Sequence, residues 1–219
     1  MKVYFIPGLG ADRRVFKHIR LPNGFDPVYL EWLVPEKKES LKHYASRLSE
    51  SIDDREDFVL CGLSFGGMLA SEISMYKKPA LLVLISSIPV SSQLPGYYRK
   101  AAAIGLHKII PVSFFKSAAL IKRIFTTETE AEKKMLREMI REVDPAFIDW
   151  ALQAILDWKK EEWPTHYIHI HGASDELLPV RYTKPTHILQ KAGHLAVLNQ
   201  AAGINAILSA QFQGLVVNT

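Results

Sequence analysis

The chain has 219 residues, 48% of them apolar and 23% charged, with a formal net charge of +4. That length and composition suit one domain with a full hydrophobic core, and they exclude intrinsic disorder as the main state, because the apolar surface is ample to offset chain entropy. A single cysteine, Cys61, excludes an internal disulfide framework, and the longest apolar run, Ala80 to Ile85, falls far short of the roughly 18 residues of a membrane-spanning helix.

Several short apolar runs have strand length and turn residues at their ends. Lys2 to Ile6 stops at Pro7-Gly8 and carries no leader-like cleavage segment, which with the lone thiol makes a cytoplasmic location the expectation. Pro27 to Trp32 follows Asn23-Gly24. Leu41 to Ile52 then repeats Leu41, Ala45, Leu48 and Ile52 at helical spacing. Phe58 to Cys61 runs into Gly62 as a strand, and Phe65 to Tyr76 is helical through Met68, Leu69, Ile73 and Tyr76. Ala80 to Ile85 is apolar throughout, the pattern of a strand covered on both faces. Tyr167 to His171 and His187 to Gln190 read as two more strands, and Gly203 to Phe212 as a last helix. Strands separated by helices predict an α/β fold with a parallel sheet.

Residues 89–160 break the alternation, having no strand pattern. Thr129 and Glu132 form a capping box ahead of Met135, Leu136, Met139 and Ile140. Asp144-Pro145 is an N-cap followed by proline at the first helical position, and Phe147, Ala151, Ile155 and Trp158 mark one stripe of the next helix. Helices between two strands of a sheet read as an inserted cap, 89–160, on a core of 1–88 and 161–219. The alternative is that they pack on the sheet as ordinary core. This segment carries 12 Lys/Arg against 8 Asp/Glu, hence the whole basic excess. Lys and Glu alternate there, which reads as a solvated face, or as a docking face for an acidic partner or substrate. Aromatic and basic residues do not interleave, so nucleic acid is not an expected partner.

Gly62-Leu63-Ser64-Phe65-Gly66-Gly67 lies where a strand gives way to a helix. A serine between closely spaced glycines at that junction occupies a tight turn that lifts its hydroxyl from the sheet's end. A serine needs a base to become a nucleophile, and His194, after the last strand and before the last helix, has the right setting. His18, His43, His107 and His187 lack one, and His166, His169 and His171 belong to a strand. His169 and His171 share a face, but without a third ligand at suitable spacing they read as core or surface groups, so no metal is expected. Asp175, in the loop after Tyr167–His171, is the carboxylate placed to orient the histidine; Glu176 is its near rival, and Asp149 and Asp157 fall on helices. An oxyanion needs two aimed donors. The backbone N–H of Phe65 is one, and that of Leu9, in Pro7-Gly8-Leu9-Gly10, is the choice for the other.

Together these residues resemble the α/β-hydrolase superfamily, and within it the small capped carboxylesterases, such as those that cleave carrier-protein methyl esters. The chain order Ser64, Asp175, His194 is that family's order of nucleophile, acid and base. Phe5 to Gly10 looks like its oxyanion loop, His171-Gly172 to Pro179 like its acid loop, and Gly193-His194 like its base. The resemblance covers essentially the whole chain. It implies a mostly parallel sheet with a helical cap after the fourth strand, and cofactor-free hydrolysis of a small carboxylic ester or thioester through an acyl-enzyme. Slow ligand-binding receptors and cofactor-free lyases or C–C hydrolases of the same fold are the other functions it implies. Pro7 stands where the oxyanion loop usually begins with histidine. The chain also lacks two strands that usually precede this loop, so six strands are expected, with Pro27–Trp32 at an edge where a second copy could pair into a homodimer.

Overall fold

The computed structural model describes residues 1–103 and 129–216. Its centre is one six-stranded, all-parallel sheet in the order β2-β1-β3-β4-β5-β6. The strands are β1 (Lys2–Ile6), β2 (Asp26–Tyr29), β3 (Phe58–Leu63), β4 (Leu81–Ile85), β5 (Tyr167–Gly172) and β6 (His187–Leu189). The central strands β3 and β4 are buried at every position, which is why their sequences are continuous rather than alternating.

β2 is an edge strand, as expected, but it is shorter than the Pro27–Trp32 run. The N–H groups of Asp26 and Leu30 donate to the Met1 and Phe5 carbonyls of the neighbouring strand, at 3.0 and 2.9 Å. Pro27 therefore faces outward, where its missing N–H breaks no ladder bond. A four-residue strand with an outward proline is a blunted edge, and it presents little ladder for a second copy to extend. Trp32 leaves the strand direction so that its indole N–H donates to the Ala11 carbonyl at 3.0 Å.

Helices α1 (Leu41–Ser49) and α2 (Phe65–Ile73) cover one face of the sheet with Tyr4, Ile6, Leu60, Leu82 and Leu84. Both end about one turn before the periodicity does. Ile52 N–H bonds to Ser49, and Tyr76 N–H to Ile73, in tighter three-residue steps, so the apolar stripe continues after the α-helical winding stops. The opposite face holds Val3, Phe5, Val59, Val83, Ile85, Ile168 and Ile170. It is covered by the turn at Arg13–Phe16, a short helix α6 (Ala196–Asn199) and the final helix α7 (Ala201–Val216).

After β4 come helices rather than strands: α3 (Gly96–Ala103), α4 (Glu130–Glu142) and α5 (Pro145–Asp157). Leu136 and Met139 of α4 join the core on the α7 side, whereas Phe147, Ala151 and Ala154 of α5 join the core on the α1–α2 side. Residues 104–128 of the expected cap lie outside the described residues, and with them His107 and the cations Lys108, Lys116, Lys122 and Arg123 of its basic excess. Among the described residues no helix is long and apolar enough to cross a membrane.

Candidate active site

Ser64 joins β3 to α2 with φ 52° and ψ −119°, outside the backbone regions open to most L-residues. The fold over-determines that turn. Ser64 N–H donates to the Ile85 carbonyl at 2.9 Å, and the Ser87 hydroxyl donates to the Ser64 carbonyl at 2.6 Å. A Cβ on Gly62 would lie 2.4 Å from the Gly66 carbonyl oxygen, and one on Gly66 would lie 2.2 Å from that of Pro7. The glycines thus mark where strand, helix and the loop after β1 pass within contact distance.

The loops at the carboxyl ends of β3, β5 and β6 bring three side chains together. His194 Nε2 is 2.8 Å from Ser64 Oγ, and His194 Nδ1 is 2.8 Å from Asp175 Oδ2. A carboxylate only accepts, so Nδ1 carries the imidazole proton and Nε2 turns a lone pair to the serine hydroxyl. Asp175 Oδ1 accepts the N–H groups of Leu177 and Leu178, each at 2.9 Å. Burial alone would raise the Asp175 carboxyl, but the imidazoles of His194 and His171 outweigh it and hold the group below the usual carboxylate range. Asp175 is therefore an anion at neutral pH although only 4% exposed.

The rival groups do not join this series, although Glu176 borders the same cleft. Glu176, Asp149 and Asp157 are exposed. His18 faces Glu132, His43 faces Glu39, and His187 faces Thr186. Cys61 is buried, and burial drives its thiol well above its ordinary value, so it stays protonated. His169 and His171 are buried as read, with ring nitrogens 3.0 Å apart. Ligand atoms of Glu36, Glu39 and His43 lie within 4.8 Å of one another. Arg47 already sits among them, 2.9 Å from Glu39 and 3.4 Å from Glu36, so a fixed cation balances that charge.

The loop after β1 runs beside the serine: a Cβ on Gly8 would lie 3.3 Å from Ser64 Cβ. Among the described residues neither Leu9 N–H nor Phe65 N–H has a hydrogen-bond acceptor. Phe65 opens α2, where such donors have no partner within the helix. A cleft opens over Ser64 and His194, walled by Leu136 and Ile140 of α4 and by Ile148 and Leu152 of α5. Two supporting groups escaped the sequence reading. Ser87 holds the serine turn, and Tyr98 donates its hydroxyl to the Leu177 carbonyl at 3.0 Å, tying α3 to the Asp175 loop. A serine pair directly after β4 was the available signal for Ser87; Tyr98 left none.

The fold recurs among solved esterases. An esterase from Exiguobacterium antarcticum superposes with a TM-score of 0.79 at 17% identity, over 95% of this chain and 90% of its own. A thermophilic esterase from Thermogutta terrifontis gives 0.72 at 18%, over 98% and 90%. A lipase-esterase related protein from Clostridium acetobutylicum gives 0.72 at 15%, over 94% and 92%. No curated protein matches the chain. Residues 3–207 match the model of the alpha/beta hydrolase family. That match spans nearly the whole chain, from the strand before the Pro7–Gly10 loop past the His194 turn, and so the chain belongs to the alpha/beta hydrolase family.

Proposed function

We propose that the protein is a serine hydrolase that cleaves a small carboxylic ester or thioester through an acyl-enzyme. Ser64 Oγ attacks the carbonyl carbon while His194 Nε2 takes its proton. The resulting tetrahedral oxyanion sits against the N–H groups of Leu9 and Phe65. His194 then passes the proton to the leaving alcohol or thiol as the bond to it breaks, leaving an ester on Ser64. Water, deprotonated by His194, attacks that ester, and the proton returns to Ser64 as the acid departs. Asp175 stays ionised and stabilises the imidazolium in both halves. No step calls on a metal or organic cofactor. Of the expected cap, the described helices α4 and α5 border this site, and their aliphatic walls favour an apolar acyl group.

The observation that carries this reading is the unbroken hydrogen-bonded series from Ser64 through His194 to Asp175, with 2.8 Å at both steps. A fluorophosphonate probe should label the wild type and not Ser64→Ala. Nitrophenyl esters of increasing acyl length should be turned over, with Ser64→Ala slower by at least about 10³-fold. An unlabelled wild type would overturn the reading. Labelling without turnover of any ester would instead favour a ligand-binding receptor or a lyase.

A further inference from the structure

Two buried histidines stand behind Asp175, and the proposed reaction does not use them. His169 and His171 lie two apart on β5, so they share one face of the strand, and both are fully buried. Their neighbours Ile168 and Ile170 show that apolar residues fill this strand readily. Imidazoles in the alternate positions need a polar reason.

The proton position on His171 follows from its partners. His171 Nε2 is 2.7 Å from the Leu178 carbonyl oxygen and 3.3 Å from Asp175 Oδ2. Both are acceptors, so His171 carries its proton on Nε2. Its Nδ1 faces His169 Nε2 at 3.0 Å, so one of these two nitrogens donates to the other. His169 also meets the Ser87 backbone, a contact that raises its basicity, while its Nδ1 makes no hydrogen bond of normal geometry among the described residues. Burial, reinforced by the neighbouring His171, lowers the basicity of His169 to about 3, so that ring stays neutral. The two rings therefore form a buried hydrogen-bonded series that ends on the Asp175 loop.

We propose that His171 is a positioning residue for Asp175, with His169 bracing the His171 ring from behind. His171 grips the carbonyl of Leu178, the residue whose N–H, with that of Leu177, holds Asp175 Oδ1. It also faces Oδ2, the oxygen that accepts the hydrogen bond from His194 Nδ1. One imidazole thus restrains both ends of the carboxylate, and through it the plane of the His194 ring. The effect on rate rests on the serine-hydrolase reading; the effect on His194 geometry does not.

The test separates the two. In the wild type the Nδ1 proton of His194 gives a far-downfield proton NMR resonance, assigned by its absence in His194→Gln. In His171→Phe that resonance should move or broaden away. kcat on a nitrophenyl ester should fall about 10–100-fold, the size seen for groups that orient a functional side chain from behind, with KM changed by less than about twofold. His171→Gln, whose amide reaches the same position, should restore most of the rate and the resonance. If His171→Phe does not fold, His169→Leu carries the test, since it removes the ring that braces His171 and leaves the Leu178 contact; the same resonance should shift. A folded His171→Phe with the wild-type resonance overturns the inference, and so does a rate loss that leaves the resonance unmoved. A wild type that resists fluorophosphonate defeats the hydrolase reading alone, and the resonance still decides for or against His171.

Discussion

Helices α4 and α5 wall the same cleft and are held by opposite kinds of force. α5 is an extension of the core. Phe147 lies 5.0 Å from the Trp32 ring, and Trp150 lies 4.3 Å from that of Tyr44. The Trp150 indole donates to the Glu39 carbonyl at 2.8 Å, and that of Trp158, just past the helix, to Glu72 at 2.6 Å. α4 is mostly charged, and Leu136 and Met139 are its buried apolar residues. Polar contacts fasten its two ends, and Lys17 lies 3.9 Å from Glu132 at the first of them. Glu132 meets His18 at 2.8 Å, and Glu142 pairs with Arg14, which also holds Asp12 at 2.6 Å. The helical segment after β4 is therefore not one uniform unit. One wall of the cleft is set by ring packing, which is indifferent to salt; the other buries only Leu136 and Met139 and is clasped at both ends by charged groups, whose share salt and pH modulate.

The largest break in this comparison is Phe147→Ala. The ring is 5% exposed and contacts Trp32, Tyr44 and Trp150. Truncation should cost about 3–5 kcal/mol of global stability in urea unfolding. No single substitution of an ion-pairing residue on α4 should approach that; one that did would show the two helices to be equally integral.

Next in size is the start of α4. Thr129 Oγ1 accepts the Glu132 N–H at 3.3 Å, and Glu132 returns a bond to the Thr129 N–H at 2.8 Å. Thr129→Ala should cost about 1 kcal/mol and speed amide exchange in α4 well before α5. Acid should act on the same end. Burial tends to raise the Glu132 carboxyl, but the Thr129 N–H, His18 and the Thr129 hydroxyl together hold it below its ordinary value of 4.5. A depressed carboxyl contributes its full stabilisation above the ordinary value and loses it as pH falls through the folded one. Exchange in α4 should therefore accelerate below about pH 4.5 relative to α5. Equal acceleration in both helices would mean that acid acts on the fold as a whole.

The sequence exposed these regions unequally, for a physical reason. Ser64 was legible because its motif is a backbone constraint written in adjacent residues: Gly62 and Gly66 must be small where chain passes chain. Asp175 and His194 were legible because each follows a strand that ends beside that turn. The stripe Phe147, Ala151, Ile155, Trp158 showed that α5 has an apolar face, but periodicity does not say what covers it, and so cap and core both fitted. The α4 clasps were invisible because Arg14 and Glu142 are 128 positions apart and charged residues read as solvent-facing until a partner is placed. His169 and His171 read as core or surface groups, and the structure buries both. Their place on the strand was legible, but their hydrogen-bond partners depend on how the loop after β5 folds back, and the Leu178 carbonyl has no sequence signature.

The smallest expected effect sharpens the comparison most. Arg14 reaches Asp12 through two nitrogens and Glu142 through one, but its side chain is 36% exposed and that of Glu142 is 60%. Water screens such a pair, so Arg14→Ala should cost only about 0.2–1 kcal/mol. Raising salt to 1 M shortens the screening length to about 3 Å and should reproduce part of that loss in the wild type. The signature is local: amide exchange near the carboxyl end of α4 should rise with salt in the wild type, rise less in Arg14→Ala, and stay flat in α5. Because Ile140 precedes Glu142 by half a turn and borders the cleft, this loosening should also raise KM for apolar esters slightly while leaving the fluorophosphonate labelling rate of Ser64 unchanged. A salt response in α5 as large as in α4 would show that charge, and not ring packing, sets both walls.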